Sequence, residues 1–569
     1  MSYQIKLYSL LVFCISLLIF NLNFRTLTPL DTVPARLLPF NILMGEGLYF
    51  DKYIDFFESR YKTTYYFFKS NNHIISHYPI MSGILSLPVY TPFYIVSNLS
   101  SATDVSDLYL YSYYLEKISA SILTSLTVVL LFLLLQKVFK NIKLSVLFSF
   151  LYAFATPAFS INSQGLWQHT SASLFMILSQ LLLLYGLEGN KSKRAGNFIF
   201  SILAGLLSVF SRPVFFIFFC ILNIILFLKE KQNYKKYLAI SILGLLLIIY
   251  NNLFLYKSSA GAYGEYMGLF NIQFLYTNFL GLIFSPARGL IVYSPILLIS
   301  LVAYFLVRKY IKDRIKGTFF YINLSFFVLG LILISFWKSW WGGHSWGGRL
   351  ASDIAISGII LCSYVYHFRK GLVTKIFILS LAVISIFSQA IGVFYNPTGI
   401  WDSYPSNVDT NPARLWSLKD NPIFRNLLVG PDLSGIYRNY YYLSDLTNRM
   451  YLREERKCKL EKLGESNILG YKTINLRFYN LSNTDWLTTG TLNGAYNLTI
   501  RQFYVNNKER KFTMSPIPAN LLVPIIKSGS NVNTTVILIP PSNFDYDSIL
   551  LVPVQDQVTV WEYGCSLNI

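Results

Sequence analysis

Asp31 lies within a few residues of the first long apolar run, in the stretch LNFRTLTPLDTVPARLLPFNILMGEGLYFD. A carboxylate fixed at the end of a helix can accept a proton from a hydroxyl group. The same position can also cap a helix that starts at Thr32-Val33-Pro34, and the residues alone support both roles equally. Other ionisable side chains in or beside apolar runs are Arg36, Glu46, Asp51, His77, Glu116, Lys117, His169, Arg212, Arg288, Lys338, His344, Arg349 and Asp353. Charge at membrane depth is costly, so so many such residues from distant parts of the chain suggest one shared polar site. Taken singly, each also reads as an interfacial anchor with its stem in lipid and its head in water.

Three arginines have the chemistry of phosphate ligands: Arg212 in FSRP, Arg288 in SPARGL and Arg349 in WGGRL. A planar guanidinium grips two phosphate oxygens, which an ammonium cannot do. His169, which opens an apolar run in GLWQHTS, is either a further phosphate donor or a helix cap. The loop WWGGHSWGGRL carries Trp341, His344 and Trp346. Tryptophan faces suit sugar rings, although interfacial tryptophans are also common anchors and the glycines allow tight turns. Binding is the expectation for this loop, with Arg36 and His77 as further sugar or acceptor contacts.

These residues need a scaffold, and the composition says which kind. The 569 residues are 53% hydrophobic and 17% aromatic but only 13% charged, against about 25% charged in soluble domains. Apolar runs near 20 residues recur, as bilayer-spanning helices require. About eleven spans are expected: 7–24, 113–136, 144–160, 168–187, 196–211, 214–228, 237–255, 291–307, 318–336, 350–366 and 376–393. The net charge of +20 sits largely in short basic clusters in alternate connections, all on the side of Lys6, as the positive-inside pattern demands. Those clusters lack the aromatic and glycine framework of a nucleic-acid surface, so no nucleic-acid partner is expected.

That orientation leaves 25–112, 161–167, 256–290, 337–349 and everything after 394 on the outer side. The apolar stretches 80–97 and 273–290 read as helices lying on, or dipping into, the outer interface. The former contains Pro88 and Pro92, which disfavour a spanning helix. Residues 394–445 form a polar, aromatic connector. Beyond it, 446–569 shows short alternating runs such as YKTINLRFYN and TTVILIPP, the pattern of a small β-sandwich.

An acidic residue after the first span, a large first outer loop and a many-helix body resemble the GT-C superfamily of membrane glycosyltransferases. More narrowly, the chain is similar to bacterial phospholipid-carrier-dependent glycosyltransferases, relatives of the protein O-mannosyltransferases and the lipid A aminoarabinose transferase. The resemblance is carried by DTVPARLLPFNIL…GEGLYFD, HYPIMSGILSLP, YLEKISASI, SQGLWQHTSASLF, FSRPVFF, GLIFSPARGLIVYSP, WWGGHSWGGRLASD and NPARLW, in order from residue 31 to about 416.

The resemblance implies a GT-C catalytic domain over 1–393 in a bacterial inner membrane, with a cytoplasmic N-terminus and an extracytoplasmic C-terminal domain. It implies metal-independent, inverting transfer from a polyprenyl-phosphate sugar to a glycan, lipid or protein hydroxyl, with no cofactor. Asp31 matches the family's acidic position and would be the base; Glu46 or Asp51 could fill a second acidic position. The adjacent Asp-Glu pair of the protein O-mannosyltransferases is missing, which counts against a protein acceptor.

Two other readings compete. A carrier or flippase of lipid-linked sugars should show related halves, and no internal symmetry is visible in the sequence. A polysaccharide polymerase or ligase would share the face and the lipid-linked donor, but with an oligosaccharide on a diphosphate. Among the five cysteines, Cys14, Cys220 and Cys362 lie in apolar runs and read as small core residues. No CxxC pair supports structural zinc. Cys458 and Cys565 are expected on the outer side, where they either pair under oxidising conditions or remain thiols.

Overall fold

The computed structural model describes residues 2–27, 29–60, 64–100, 102–395, 399–433, 457–488, 498–555, 559–560 and 565–569. Their contacts divide into two units. The first comprises Met1–Leu22, Thr26–Gly342 and Gly347–Gln389; the second comprises Asn23–Arg25, Gly343–Trp346 and Ala390–Ile569.

Among the described residues, eight helices are long and apolar enough to cross a membrane: Tyr3–Asn21, Val105–Phe139, Gln168–Glu188, Lys193–Ser211, Tyr234–Tyr256, Arg314–Ser335, Arg349–Phe368 and Leu372–Phe394. The other three segments read as spans are helical but shorter or interrupted. Ile142–Ala155 and Pro213–Lys229 fall below that length. The third is split into Leu290–Tyr293, Pro295–Leu298 and Ile299–Val307, because Pro295 has no backbone N–H with which to continue the ladder.

The Val105–Phe139 helix starts well before the expected residue 113. Asp104 caps it by accepting from the Ser106 N–H at 3.0 Å, which satisfies an otherwise orphaned donor. Its 35 residues span roughly 50 Å at 1.5 Å per residue, well beyond a hydrocarbon layer of about 30 Å. Tyr234–Tyr256 is sheathed in exposed apolar side chains, with Leu243 60% and Leu247 61% exposed. Such a surface is stable against lipid but not against water.

The segment before Val105 is built from the helices Val33–Leu43, Ile54–Arg60 and Met81–Val96 and a hairpin of Phe67–Ser70 with His73–Ser76. Asn71 and Asn72 turn that hairpin with φ of 49° and 65°, the left-handed pair that a two-residue turn matched to strand twist requires. Met81–Val96 keeps Pro88 and Pro92 inside it; their four-residue spacing puts both missing N–H groups on one face. A Cβ at Gly83 would lie 2.6 Å from the Ala35 carbonyl oxygen, so only glycine lets this helix pack directly on Val33–Leu43.

In the second unit two sheets enclose one core. Tyr471–Asn480 lies between Asn531–Leu538 and Cys458–Ile468. The larger sheet is centred on Ser548–Gln555 paired with Leu498–Asn506. Ile474, Leu476 and Phe478 from one sheet share a buried cluster with Leu498, Ile500 and Leu551 from the other, in line with the expected C-terminal β region. Cys458 and Cys565 form a disulfide within this core, 107 positions apart in sequence.

The segment expected as a connector contributes Gly399–Ser403, Pro412–Trp416 and Pro422–Val429 to the second unit. Residues 434–456 of the expected connector and β region lie outside the described residues. Asp420 organises this corner. It accepts from Arg414 Nη2 at 2.7 Å, Arg425 Nη2 at 2.6 Å, Trp401 Nε1 at 3.0 Å and the Tyr471 hydroxyl at 3.1 Å. Burial pushes the Asp420 carboxyl up, but the two guanidinium groups outweigh it and hold the carboxyl below its ordinary value.

Candidate functional site

Asp31 sits in the short 3-10 turn Leu30–Thr32 ahead of Val33–Leu43. Thr32 occupies the cap position of that helix. The Asp31 carboxylate is engaged elsewhere: Oδ2 accepts from Arg349 Nη1 at 2.7 Å, and Oδ1 accepts from the hydroxyls of Tyr65 at 2.7 Å and Tyr78 at 3.3 Å. The two tyrosines flank the Phe67–Ser70/His73–Ser76 hairpin, so the hairpin delivers both phenols to one oxygen. The guanidinium of Arg349 lies 4.5 Å from the Trp167 ring centroid, a cation–π contact that fixes its plane.

Arg349 and Trp167 each stand just ahead of a long helix, Ser352–Phe368 and Gln168–Glu188, and the first turns of these helices carry a second cluster. Asp353 accepts from His169 Nδ1 at 2.7 Å and from Arg212 Nε at 2.7 Å on each of its oxygens. Arg212 Nη1 also donates to Gln168 Oε1 at 3.3 Å, and the Tyr263 hydroxyl donates to the same oxygen. Positions 349 and 353 are four apart, on one side of a helix start. Two separate charge pairs, Asp31–Arg349 and Asp353–Arg212, are therefore anchored at the starts of these helices.

A third cluster braces the first two. The Arg36–Glu116 pair is 3.3 Å apart with side chains 0% and 1% exposed. Arg36 lies over the rings of Tyr109 and Tyr113 at 4.7 and 4.5 Å. Glu116 Oε1 accepts from the Leu166 N–H at 3.0 Å, one residue before Trp167. One buried carboxylate therefore ties the helix that follows Asp31 to the loop that supports Arg349.

His77 is buried beside this site. Its ring centroid lies 5.5 Å from that of Tyr266, and its Nε2 has no hydrogen-bond partner among the described residues. Burial pushes its pKa down against the opposing pull of Glu265 and Asp31. For Asp31 the balance runs the other way. Burial pushes its carboxyl up, but the Arg349 charge and the hydrogen bonds from Arg349, Tyr65 and Tyr78 outweigh it, leaving it below the ordinary carboxylate value. Tyr65 and Tyr78 are raised, first by burial and then by Asp31, so both remain un-ionised donors.

The remaining expected residues are placed differently. Glu46 pairs with Lys52 at 2.9 Å. Asp51 pairs with His73 at 2.9 Å and accepts from the Ile74 N–H at 2.8 Å; both acids brace their own loop. Arg288 is 1% exposed and turns Nη1 back to the Ala287 carbonyl at 2.9 Å. Its backbone nonetheless abuts the Arg349 turn, since a Cβ at Gly348 would lie 2.8 Å from the Arg288 carbonyl oxygen. Trp341 is buried in the first unit. His344 and Trp346 belong to the second unit, where His344 meets Asp409 at 3.2 Å and Trp346 packs on Gly392.

Tyr65, Tyr78, Trp167, Gln168 and Tyr263 were not among the expected site residues. The sequence signal for the first two was the Asn71-Asn72 turn, which fixes a hairpin with those tyrosines at its base.

No protein-family model matches the chain, and no curated protein matches it. Among solved structures, the Pseudomonas fluorescens alkylpurine DNA glycosylase AlkC, bound to DNA containing an abasic site analogue, is 8% identical over 79% of this chain and 96% of that one. The TM-score of that superposition is 0.15, too low to bear on fold or function.

Proposed function

We propose that the chain is a multi-pass membrane glycosyltransferase of the GT-C type. It moves a sugar from a polyprenyl-phosphate donor to a hydroxyl acceptor on the extracytoplasmic face, with inversion at the anomeric carbon. The observation that carries this reading is the meeting of Asp31 with Arg349 at 2.7 Å. A carboxylate suited to take a hydroxyl proton and a guanidinium suited to hold a departing phosphate converge from positions 318 residues apart.

The eight long apolar helices and the lipid-compatible surface of Tyr234–Tyr256 support the membrane setting. In this reading Asp31 is the general base, an action that contributes roughly 10²–10⁴-fold. Arg349 holds the phosphate, Arg212 behind it adds a second cation fixed in place by Asp353, and His169 adds a donor at Nε2 when doubly protonated. Preorganised charge of this kind, shielded from water, stabilises a forming anion more than bulk solvent does.

The test is mass spectrometry of lipid-linked sugars and surface glycans in a deletion strain, complemented with wild type or Asp31→Asn. The expected result is accumulation of a monosaccharide-phosphate lipid, reversed by wild type and not by the variant. Unchanged lipids and glycans on deletion would end the proposal, and accumulation of a diphosphate-linked oligosaccharide would replace it with the polymerase or ligase reading.

A further inference from the structure

We infer that Arg349 exchanges anionic partners during turnover, leaving Asp31 for the donor phosphate, and that this exchange is what allows Asp31 to act as a base. The inference rests on the transferase reading above and deepens it. The two residues to which that reading gives separate roles are bonded to one another. A carboxylate in that state is a weak proton acceptor.

The geometry allows one partner to change while the rest stays in place. Asp31 is held independently through Oδ1 by Tyr65 and Tyr78, so withdrawing Arg349 exposes Oδ2 without releasing the carboxylate. Arg349 keeps its Trp167 platform, and its buried Nε has no hydrogen-bond partner among the described residues. A phosphate can therefore take the end of the guanidinium, Nη2 together with the Nη1 donor now spent on Asp31, the two-toothed grip that guanidinium groups make with phosphate.

The electrostatics point the same way. Burial is the largest influence on Asp31 and raises its affinity for a proton, while Arg349 is the largest opposing one. The other groups that interact with Asp31 are Tyr65, Tyr78, His77, Tyr263 and Tyr266. The phenols are neutral at physiological pH, and burial disfavours a charged His77, so none replaces the cation. Once Arg349 turns to phosphate, the largest influence opposing burial is gone and Asp31 becomes the stronger base.

The chemical step then balances. The acceptor oxygen bonds to the anomeric carbon as the bond from that carbon to the phosphate oxygen breaks. The electron pair leaves on the phosphate, held by Arg349, and the hydroxyl proton passes to Asp31. When polyprenyl phosphate departs, Arg349 returns to Asp31 and the proton is lost to water. Base strength is thereby confined to the donor-loaded state.

The test is infrared difference spectroscopy on the full chain in detergent, with farnesyl monophosphate as the probe. The carboxylic-acid C=O band of Asp31 is identified by its loss in Asp31→Asn, and probe binding is followed separately by thermal stabilisation. The probe is expected to raise the pH midpoint for Asp31 protonation by about one unit or more, with farnesol and phosphatidylglycerol without effect. In Arg349→Met the midpoint should already be high without probe and should not move on adding it. If that variant does not fold, the wild-type titration decides alone. Binding with an unmoved midpoint would overturn the exchange and leave the transferase reading standing. An equal shift with phosphatidylglycerol would make Arg349 a general lipid anchor and overturn the exchange, while a probe that does not bind at all would remove both.

Discussion

His169 and Asp353 meet at 2.7 Å across 184 positions of sequence, each from the first turn of its own helix. The same carboxylate takes Arg212, so it neutralises one cation and orients one buried imidazole. Asp353→Asn removes that charge. Asp353 is fully buried and Arg212 is 12% exposed; stranding one partner of a buried pair costs up to about 3–5 kcal/mol, so the variant is expected to melt several degrees lower in detergent, with Asp353→Glu intermediate. A wild-type melting temperature in Asp353→Asn would show that the pair adds nothing to the fold.

Asp31→Asn keeps size and can still accept from Tyr65 and Tyr78, but it cannot take a proton. Turnover per folded molecule should fall by roughly 10²–10⁴-fold with melting nearly unchanged. Turnover at the wild-type rate would exclude Asp31 as the base.

The pH dependence follows from the same carboxyl. Because the fold holds Asp31 below its ordinary value, its ion pair contributes stability above the unfolded value of about 3.9 and loses it as pH falls through the lower folded value. Donor kcat/KM, which reports the unloaded enzyme, should therefore show no acid limb from Asp31 between about pH 5 and 8. In the loaded enzyme Arg349 is on the phosphate, so the acid limb of kcat should lie at higher pH than that of kcat/KM. Coincident limbs would argue against the exchange.

The Cys458–Cys565 disulfide closes a loop of 107 positions in the β unit. Losing such a link commonly costs about 2–5 kcal/mol. Cys458→Ser should destabilise that unit, and non-reducing peptide mapping of the wild type should recover the linked pair. Recovery of two alkylated thiols without reductant would show that the bond does not form in the cell.

Reporter fusions at positions 312 and 569 are expected to report opposite sides of the membrane. The basis is the shared side of the basic clusters near Lys6, Arg308–Lys316 and Arg369–Lys375. Matching signals would refute this topology.

The scaffold was legible because its signals are local. Every segment read as a span is helical, since runs of apolar residues specify helix and burial together. The alternation in YKTINLRFYN likewise appears as a strand with alternating burial. The site was legible only as an inventory. Asp31, Arg349, Arg212 and His169 were all marked, yet nothing within a few residues of Asp31 announces that its partner lies 318 positions away. Tyr65 and Tyr78 were passed over because their role comes from the turn at Asn71-Asn72, and one tyrosine among 42 carries no signal by type. Trp341 and Trp346 show the converse: tryptophans chosen for their ring faces are buried at 8% and 3% exposure, because an indole covers apolar neighbours as readily as a ligand.

The second unit is assembled from three separate stretches, and its first, Asn23–Arg25, precedes most of the helical unit. Within it Arg25 pairs with Asp432 at 3.1 Å and donates to the Tyr395 carbonyl at 2.6 Å. A genetic exchange with one breakpoint near residue 390 would import a foreign β region and leave Arg25 facing a stranger's residue. The β unit is therefore poorly suited to shuffling between genes as a cassette. Viable chimeras of this chain should need matched crossovers on both sides of Arg25 as well as downstream.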